Sequence, residues 1–125
     1  MRLSASPSSH HHLISHYDQY SFTINQQIIS QSLLLTQSNI TLWSVSQPYD
    51  LNTKNIEPWF QSQPEIILLG TGQTFTPAPI EVIEACRAQN IGFDIMSTPS
   101  ACRSYNILAE EGRRVLAALI IGSPS

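Results

Sequence analysis

The sequence predicts a single α/β domain in which an antiparallel β region precedes helices that alternate with parallel strands. Apolar and polar residues alternate in the first third of the chain, as they do in strands with one wet face. Later segments contain continuous apolar runs, typical of strands buried on both faces, with segments of helical spacing between them. A length of 125 residues suits one hydrophobic core, so these patterns are assigned to one domain.

The first third of the chain predicts a β-hairpin followed by a further strand. Residues 20–24 alternate between apolar and polar, and a second apolar run extends over residues 27–35. The turn is expected at Asn25 and Gln26, because asparagine tolerates the left-handed backbone that a tight turn requires. Residues 40–45 alternate in the same way and form the next predicted strand.

The rest of the chain predicts two right-handed crossover units, which place three strands in parallel. The helix after the first of these strands is expected to turn Ile80, Val82, Ile83 and Cys86 toward the sheet. The predicted elements are, in order, a short helix or turn over residues 55–62, a strand over 65–69, a helix from Pro79, a strand over 91–96, a helix from Thr98 to Gly112 and a strand over 115–121.

The charge composition argues against nucleic acid as a partner and against a membrane span. Charged residues make up 12 % of the chain and the net charge is −3, so no basic patch is available for a phosphate backbone. The apolar runs at residues 66–69 and 115–121 are far shorter than the roughly 20 residues that a membrane-spanning helix needs. Solubility must therefore depend on uncharged polar side chains, mainly serine and glutamine.

The positions of cysteine and histidine argue against the common nucleophile and metal sites. Cys86 and Cys102 have neither zinc-type nor redox spacing, so we interpret them as buried thiols in a reducing compartment, the cytoplasm. All four histidines lie within residues 10–16, so a catalytic serine or cysteine elsewhere would lack a nearby base. We expect no cofactor and no metal, and enzyme activity is the less favoured interpretation.

Residues 1–19 are interpreted as a disordered N-terminal tail, and residues 20–125 as the folded domain. The tail is rich in serine and has no periodic apolar face. A helical tail would place His12 and His16 one turn apart, where they could chelate a divalent metal, but the composition favours disorder with incidental metal affinity. The stretch also lacks the apolar core of a secretory signal and the basic residues of a mitochondrial presequence.

Two loops after the predicted parallel strands form a candidate crevice. Ligands of open α/β sheets collect outside the carboxyl ends of the strands, and residues 70–79 and 96–100 lie at those ends. Phe75 stands where a dinucleotide fingerprint would have its third glycine, so a nucleotide site is not expected. The loops instead offer hydroxyl and amide groups.

Two interpretations of this crevice remain open at the level of sequence. In one, Gly70, Gly72 and Thr98 line a ligand or partner site, with Arg103 as an anion contact one turn into the helix. In the other, the glycines let the chain turn sharply off the strand and the threonine caps its helix. The second interpretation is the more common outcome for residues of these types.

Three further polar residues invite the same two interpretations. Tyr105 and Asn106 could orient a substrate, although such groups more often satisfy buried backbone atoms. Asp94 lies in an otherwise apolar strand, but the sequence places no second acid or histidine near it. Structural roles are therefore expected for all three.

The sequence resembles a known family in three consecutive stretches, residues 66–72, 92–98 and 101–115. The shared features are a Gly-Thr-Gly loop, an M-x-T step, an A-x-x-x-Y-N helix start and an E-x-R-x-V exit. Together they are similar to the small Mth-type domains of unknown function, a family that includes the mitochondrial respiratory complex I assembly factor 3. The resemblance covers about residues 20–122.

The resemblance implies a three-layer α/β domain with a central mixed five-stranded sheet, an N-terminal β-hairpin and helices packed on the sheet. It implies no established enzyme activity, and an assembly or scaffolding role for the mitochondrial members. Because the N-terminal stretch is a poor presequence, a bacterial cytoplasmic relative is expected. The family's cleft maps onto Gly70, Thr71, Gly72, Met96, Thr98, Tyr105 and Asn106.

The leading hypothesis is a non-enzymatic protein-interaction or assembly module with a protein partner still to be identified. Its surface is expected to be apolar or uncharged, with Trp43, Trp59 and Phe75 as candidate anchors wherever they are exposed. The alternative is a small-molecule binding protein or weak enzyme that takes a small anionic ligand in the crevice. The candidate site residues are Gly70, Thr71, Gly72, Phe75, Met96, Thr98, Arg103, Tyr105 and Asn106.

Overall fold

The computed structural model describes residues 12–121, and within this range the chain forms eight β-strands and two α-helices. Two short 3-10 helices, Pro48–Asp50 and Glu57–Phe60, lie in the long connection before the sixth strand. The regular elements are β1 Ile14–Tyr17, β2 Phe22–Ile24, β3 Gln27–Ile29, β4 Leu33–Leu35, β5 Ile40–Leu42, β6 Ile66–Gly70, α1 Ile80–Ala88, β7 Gly92–Met96, α2 Thr98–Glu110 and β8 Val115–Leu119.

The central sheet is mixed and five-stranded, in the order β5-β4-β8-β6-β7. β6 pairs in parallel with both β7 and β8, whereas β4 is antiparallel to β8 and to β5. The three parallel strands and their two crossover helices were expected from the apolar runs, and the structure confirms them. β8 is buried along its whole length because strands flank it on both sides and both faces are covered.

The N-terminal hairpin is confirmed, and it belongs to a separate three-stranded sheet of order β1-β2-β3. Its turn lies at Asn25 and Gln26, whose φ angles of 52° and 66° are both left-handed, as a tight hairpin turn requires. The predicted apolar run over residues 27–35 is divided between the two sheets, because the chain leaves β3 and enters β4.

The predicted tail boundary at residue 19 lies too far along the chain. Residues Ile14–Tyr17 form β1, which pairs antiparallel with β2, and the Ile14 side chain is buried. Sequence pattern missed this strand because it is four residues long, has two polar residues in its middle and pairs with β2 through a register shift between Ile14 and His16. Residues 1–11, with His10 and His11, lie outside the described range, so the expectation of tail disorder is untested there.

The sheet separates two apolar layers, as the three-layer expectation requires. One face packs against α2 and the three-stranded sheet, and the other against α1 and the 3-10 helix Glu57–Phe60. Trp43 and Trp59 lie in the second layer with their ring centroids 5.8 Å apart in an edge arrangement. Both are buried, so neither meets the condition of exposure on which its role as an anchor depended.

Helix α1 differs in one respect from the sequence expectation. Val82 and Cys86 are buried as predicted, but Ile80 is 67 % exposed. At about 100° per residue, Ile80 lies nearly opposite the direction that Val82 and Cys86 share.

Within residues 12–121, no helix has both the length and the apolar character needed to cross a membrane.

Helix α2 begins and ends close to where the sequence predicted. The Ser97 hydroxyl accepts a hydrogen bond from the Ser100 amide, so Ser97 rather than Thr98 is the N-cap. Gly112 follows the helix with a φ of 83°, and its amide donates to the Ala109 carbonyl. The predicted closure of this helix by glycine is therefore confirmed.

Candidate functional site

Gly70 lies where β6 approaches α2 most closely. A Cβ at this position would lie 2.9 Å from the Thr98 Cα and 2.9 Å from its hydroxyl oxygen. Such distances are too short for carbon atoms, so the first turn of α2 packs this close to β6 because residue 70 has no side chain. This contact brings the loop after β6 and the start of α2 together, as the sequence predicted.

The Thr98 hydroxyl joins three segments of backbone. Its oxygen accepts a hydrogen bond of 2.8 Å from the Gly72 amide, and the hydroxyl donates one of 2.8 Å to the Ile120 carbonyl. The Thr98 amide in turn donates to the Gly72 carbonyl at 2.7 Å. The side chain is buried, so its hydrogen-bonding groups serve the protein's own backbone.

The Thr71 hydroxyl folds the loop that follows β6. It lies 2.9 Å from the Thr74 carbonyl oxygen and 3.3 Å from that of Met96, and it accepts a hydrogen bond from the Thr76 amide at 3.0 Å. The Thr71 amide donates to the Met96 carbonyl at 2.9 Å. Both threonine hydroxyls of the predicted crevice are therefore engaged within the protein.

The remaining polar candidates lie along α2 and hold β1. Asn106 accepts a hydrogen bond from the Ile14 amide at 2.9 Å and donates one to the Ile14 carbonyl at 2.8 Å. The Tyr105 hydroxyl donates to the His12 carbonyl at 2.6 Å, and burial raises the pKa of this phenol. Structural roles, which the sequence favoured for both residues, agree with these contacts.

Arg103 is directed toward the N-terminal strand rather than toward the loop after β6. Its guanidinium donates to the Tyr17 hydroxyl at 2.9 Å and to the Ser100 hydroxyl at 3.2 Å. The structure therefore brings Gly70, Thr71, Gly72, Met96 and Thr98 together at the strand ends and places Arg103, Tyr105 and Asn106 along β1.

A groove of about 320 Å³ lies above these contacts, at the carboxyl ends of β6 and β8. It is formed by the turn after β1, the 3-10 helix Pro48–Asp50 and the loop after β6. None of the side chains that line it is charged. They are Gln19, Tyr20, Ser46, Gln47, Pro48, Tyr49, Thr71, Gly72, Gln73, Thr74, Thr76 and Ile120.

Three exposed aromatic residues belong to the loops around this groove, and we call Tyr20, Tyr49 and Phe75 the aromatic rim. Their exposed fractions are 45 %, 70 % and 58 %. Because more than half of its surface is exposed, Phe75 does not close over the loop. The Asp18 carboxylate accepts hydrogen bonds from the amides of Tyr20 and Ser21. These bonds lower the pKa of Asp18 and fix the turn that carries Tyr20.

Sequence reasoning missed Tyr20 and Tyr49 as surface residues of this site. For Tyr49 the available signal was a tyrosine in a polar loop outside any apolar pattern, whereas Tyr20 begins the alternating run that predicted the first strand. Asp94 is exposed on β7. Cys86 and Cys102 are buried, and burial raises the pKa of the Cys86 thiol to about 11 and that of the Cys102 thiol to about 12. Within the described range, no group of three or more metal-ligating side chains is present.

Fold and site together define a small three-layer α/β domain. The threonine side chains at its strand ends form hydrogen bonds with backbone groups of the same domain, and the aromatic rim lies exposed above them. The chain belongs to the family described as "Protein of unknown function (DUF498/DUF598)", whose model matches residues 14–120. The family resemblance expected from the Gly-Thr-Gly loop and the Y-N helix is thus confirmed.

Proteins similar to this chain come from animals and bacteria. NADH dehydrogenase [ubiquinone] 1 alpha subcomplex assembly factor 3 of Rattus norvegicus is 31 % identical over 109 residues, which are 86 % of this chain and 59 % of that protein. The chain therefore spans about three fifths of the length of this curated relative. Its sequence similarity relates the chain to proteins named for an assembly role.

Solved structures agree with the fold. A protein of Bordetella parapertussis is similar with a TM-score of 0.85 and 28 % identity, covering 92 % of this chain and 99 % of that one. A Bordetella pertussis protein described as an Mth938-like domain has a TM-score of 0.81 at 24 % identity, covering 100 % of this chain and 95 % of that one, and shows likeness of fold alone. The expected three-layer Mth-type architecture is confirmed.

Proposed function

We propose that this chain is a non-enzymatic assembly module that binds a protein partner through the aromatic rim and the uncharged groove beneath it. The single observation that carries the proposal is the exposure of Tyr20 and Tyr49 in the wall of a groove without charged lining, with exposed Phe75 on the loop beside it. Exposed aromatic side chains contribute a large share of the binding energy at protein interfaces. The relatives named as assembly factors support the same class of function.

The chemistry beneath the rim supports protein binding over catalysis. The hydroxyls of Thr71 and Thr98 already bond to backbone groups, and Arg103 bonds to Tyr17 and Ser100. A small anionic ligand in the crevice would have to displace these bonds, which is costly for a buried group such as Thr98. A partner that covers the rim displaces none of them.

The test compares affinity capture by four versions of the full chain from extracts of its source cells. Wild type and Ile107→Ser are expected to retain the same partner, whereas Tyr49→Ser and Phe75→Ser reduce capture at least about tenfold. Ile107 is the matched control, because it is an equally exposed apolar residue at 60 % but lies on α2. Equal capture by all four versions, or a small metabolite bound in place of a protein, would contradict the proposal.

We also propose that the protein acts in the bacterial cytoplasm. The two cysteines are unpaired and buried, as a reducing compartment allows. Solved bacterial proteins are similar along nearly the whole chain. Fractionation of the source cells tests the location, and recovery of the protein with membranes or outside the cell would contradict it.

A further inference from the structure

Strand β7 ends the central sheet and leaves one row of backbone groups open. The Gly92 amide donates to the Glu65 carbonyl at 3.0 Å, and the Met96 carbonyl accepts from the Thr71 amide at 2.9 Å. Successive residues of a strand direct their N–H and C=O groups to opposite sides, so Gly92, Asp94 and Met96 bond toward β6. The backbone groups of Phe93 and Ile95 therefore point away from the sheet.

No strand within residues 12–121 pairs with this open side, and β7 stands at the end of the strand order. At five residues, β7 is longer than β5, the three-residue strand at the other end of the sheet. An open edge of this length offers a partner chain unpaired amides and carbonyls for strand addition. The occupant that satisfies these groups is an extended segment.

A groove of about 380 Å³ lies beside this edge on the α1 side. It is lined by Ile83, Arg87, Asn90, Ile91, Gly92 and Phe93. The side chains of Phe93 and Ile95 face the same layer as α1, where they pack against its buried residues. Every second side chain of an added strand would enter this groove. Apolar side chains can pack there against Ile83, Ile91 and Phe93, whereas Arg87 and Asn90 form its polar part.

The opposite face of the edge carries an acidic residue. Asp94 is exposed, and alternation along β7 places its side chain on the α2 side of the sheet with that of Met96. No ion pair within residues 12–121 involves Asp94. A lysine or arginine of an added strand would lie across from this carboxylate, and such opposite-charge pairs stabilise neighbouring strands.

A second copy of this chain is a poor occupant of the same edge. An antiparallel pairing of two β7 strands that uses the whole strand would be centred on Asp94. The two Asp94 carboxylates would then lie directly opposite each other, which is destabilising. Charge complementarity therefore selects a segment of a different protein.

We propose that the β7 edge binds an extended segment of a partner protein in which apolar and basic residues alternate. The segment adds a sixth strand through the backbone groups of Phe93 and Ile95. Its apolar side chains enter the groove beside α1, and its basic side chains lie beside Asp94. This surface is separate from the aromatic rim, so either can fail without the other.

The proposal is tested with a short capped peptide in which valine and lysine alternate, and with its counterpart that has glutamate in place of lysine. The lysine peptide is expected to slow exchange of the Phe93 and Ile95 amide hydrogens by at least about tenfold in NMR-detected exchange. It is expected to bind about three- to tenfold more tightly than the glutamate peptide. A lysine peptide with N-methylated backbone is expected not to bind.

Two variants with the same change of charge separate this site from general electrostatic attraction. Asp94→Lys is expected to reverse the preference, so that the glutamate peptide binds more tightly. Glu110→Lys is the control, because Glu110 is exposed at the end of α2, and it is expected to keep the lysine preference. Three results would each overturn the proposal. They are an unchanged peptide preference in Asp94→Lys, protection of amides other than those of Phe93 and Ile95, and amide protection that appears without peptide as the protein concentration rises.

Discussion

The buried polar contacts at the strand ends and along β1 differ from the aromatic rim above the strand ends in what their side chains do. Below, the hydroxyls of Thr71 and Thr98 and the amide of Asn106 bond to backbone segments distant in the chain. Above, Tyr49 and Phe75 present most of their surface to solvent. The polar residues that most resembled a binding site hold the fold together, and the aromatic residues in the loops remain available to a partner.

This difference has a simple physical origin. Where a helix, a strand and a loop converge, backbone amides and carbonyls are removed from water and need partners. Short polar side chains such as threonine and asparagine supply those partners locally. A hydroxyl near a strand end is therefore ambiguous in sequence, since it can serve either a ligand or the protein's own backbone.

Removal of residues 1–17 tests the buried contacts most severely. A chain that begins at Asp18 loses the buried Ile14 side chain, the pairing of β1 with β2 and the bonds to Asn106. The free energy of unfolding is expected to fall by at least about 3 kcal/mol in chemical denaturation. Asn106→Ala in the full chain should lower the free energy of unfolding by a smaller amount, about 1–2 kcal/mol. An unchanged midpoint for the shortened chain would show that β1 is dispensable.

The close approach of β6 to α2 is tested by Gly70→Ala. The added Cβ would collide with the Thr98 backbone, which cannot rotate away as a side chain can. The free energy of unfolding is expected to fall by about 1–3 kcal/mol, measured by thermal or chemical denaturation. Gly72→Ala is the comparison: a Cβ there would meet no atom within 4 Å, but the φ of 114° is unfavourable for alanine. Full stability of Gly70→Ala would mean that the contact adjusts.

The hydroxyl beneath the rim is tested by Thr98→Val against Thr98→Ser. Valine keeps the volume but leaves the Ile120 carbonyl and the Gly72 amide without their partner. We expect valine to cost about 1–2 kcal/mol of unfolding free energy and serine to cost less, because serine retains the hydroxyl. If serine is the more destabilising of the two, packing of the methyl group rather than hydrogen bonding explains the position.

The rim is expected to contribute little to stability. Tyr49→Ser and Phe75→Ser should each change the unfolding free energy by no more than about 0.5 kcal/mol, because the native side chains are mostly exposed. Thermal denaturation of the two variants beside wild type measures this. A loss similar to that of Gly70→Ala would place these residues with the buried contacts and remove the difference between the two regions.

The turn that carries Tyr20 should respond to acid. Because its bonds to the Tyr20 and Ser21 amides lower the pKa of Asp18, they are present above the usual Asp value of 3.8 and are lost as pH falls through the lower folded-state value. An NMR titration should show the two amide signals moving together in that acidic range. Asp18→Asn should abolish the transition, and its persistence in that variant would assign it to another group.

The sequence predicted the order of elements well where local pattern and burial agree. The turn at Asn25 and Gln26, the three parallel strands and the helix end at Gly112 all follow from residues close together in the chain. β1 was missed because it is short and irregular, and because part of what holds it is α2, about ninety residues away. Local pattern could not indicate whether Trp43 and Trp59 would be exposed, because the segments that cover them in the second apolar layer are distant in the chain.

The sequence by itself determined most of the segments that become strands and helices, with β1 as the exception, since apolar periodicity and the φ preferences of glycine and asparagine act locally. It also determined that charged residues are few, at 12 % of the chain. Only the tertiary structure decided whether Thr71, Thr98 and Asn106 would face a ligand or the backbone, and whether Trp43 or Tyr49 would remain in contact with water. Those outcomes depend on which distant segments meet, and the free energy of burying a polar group depends on the partner it finds there.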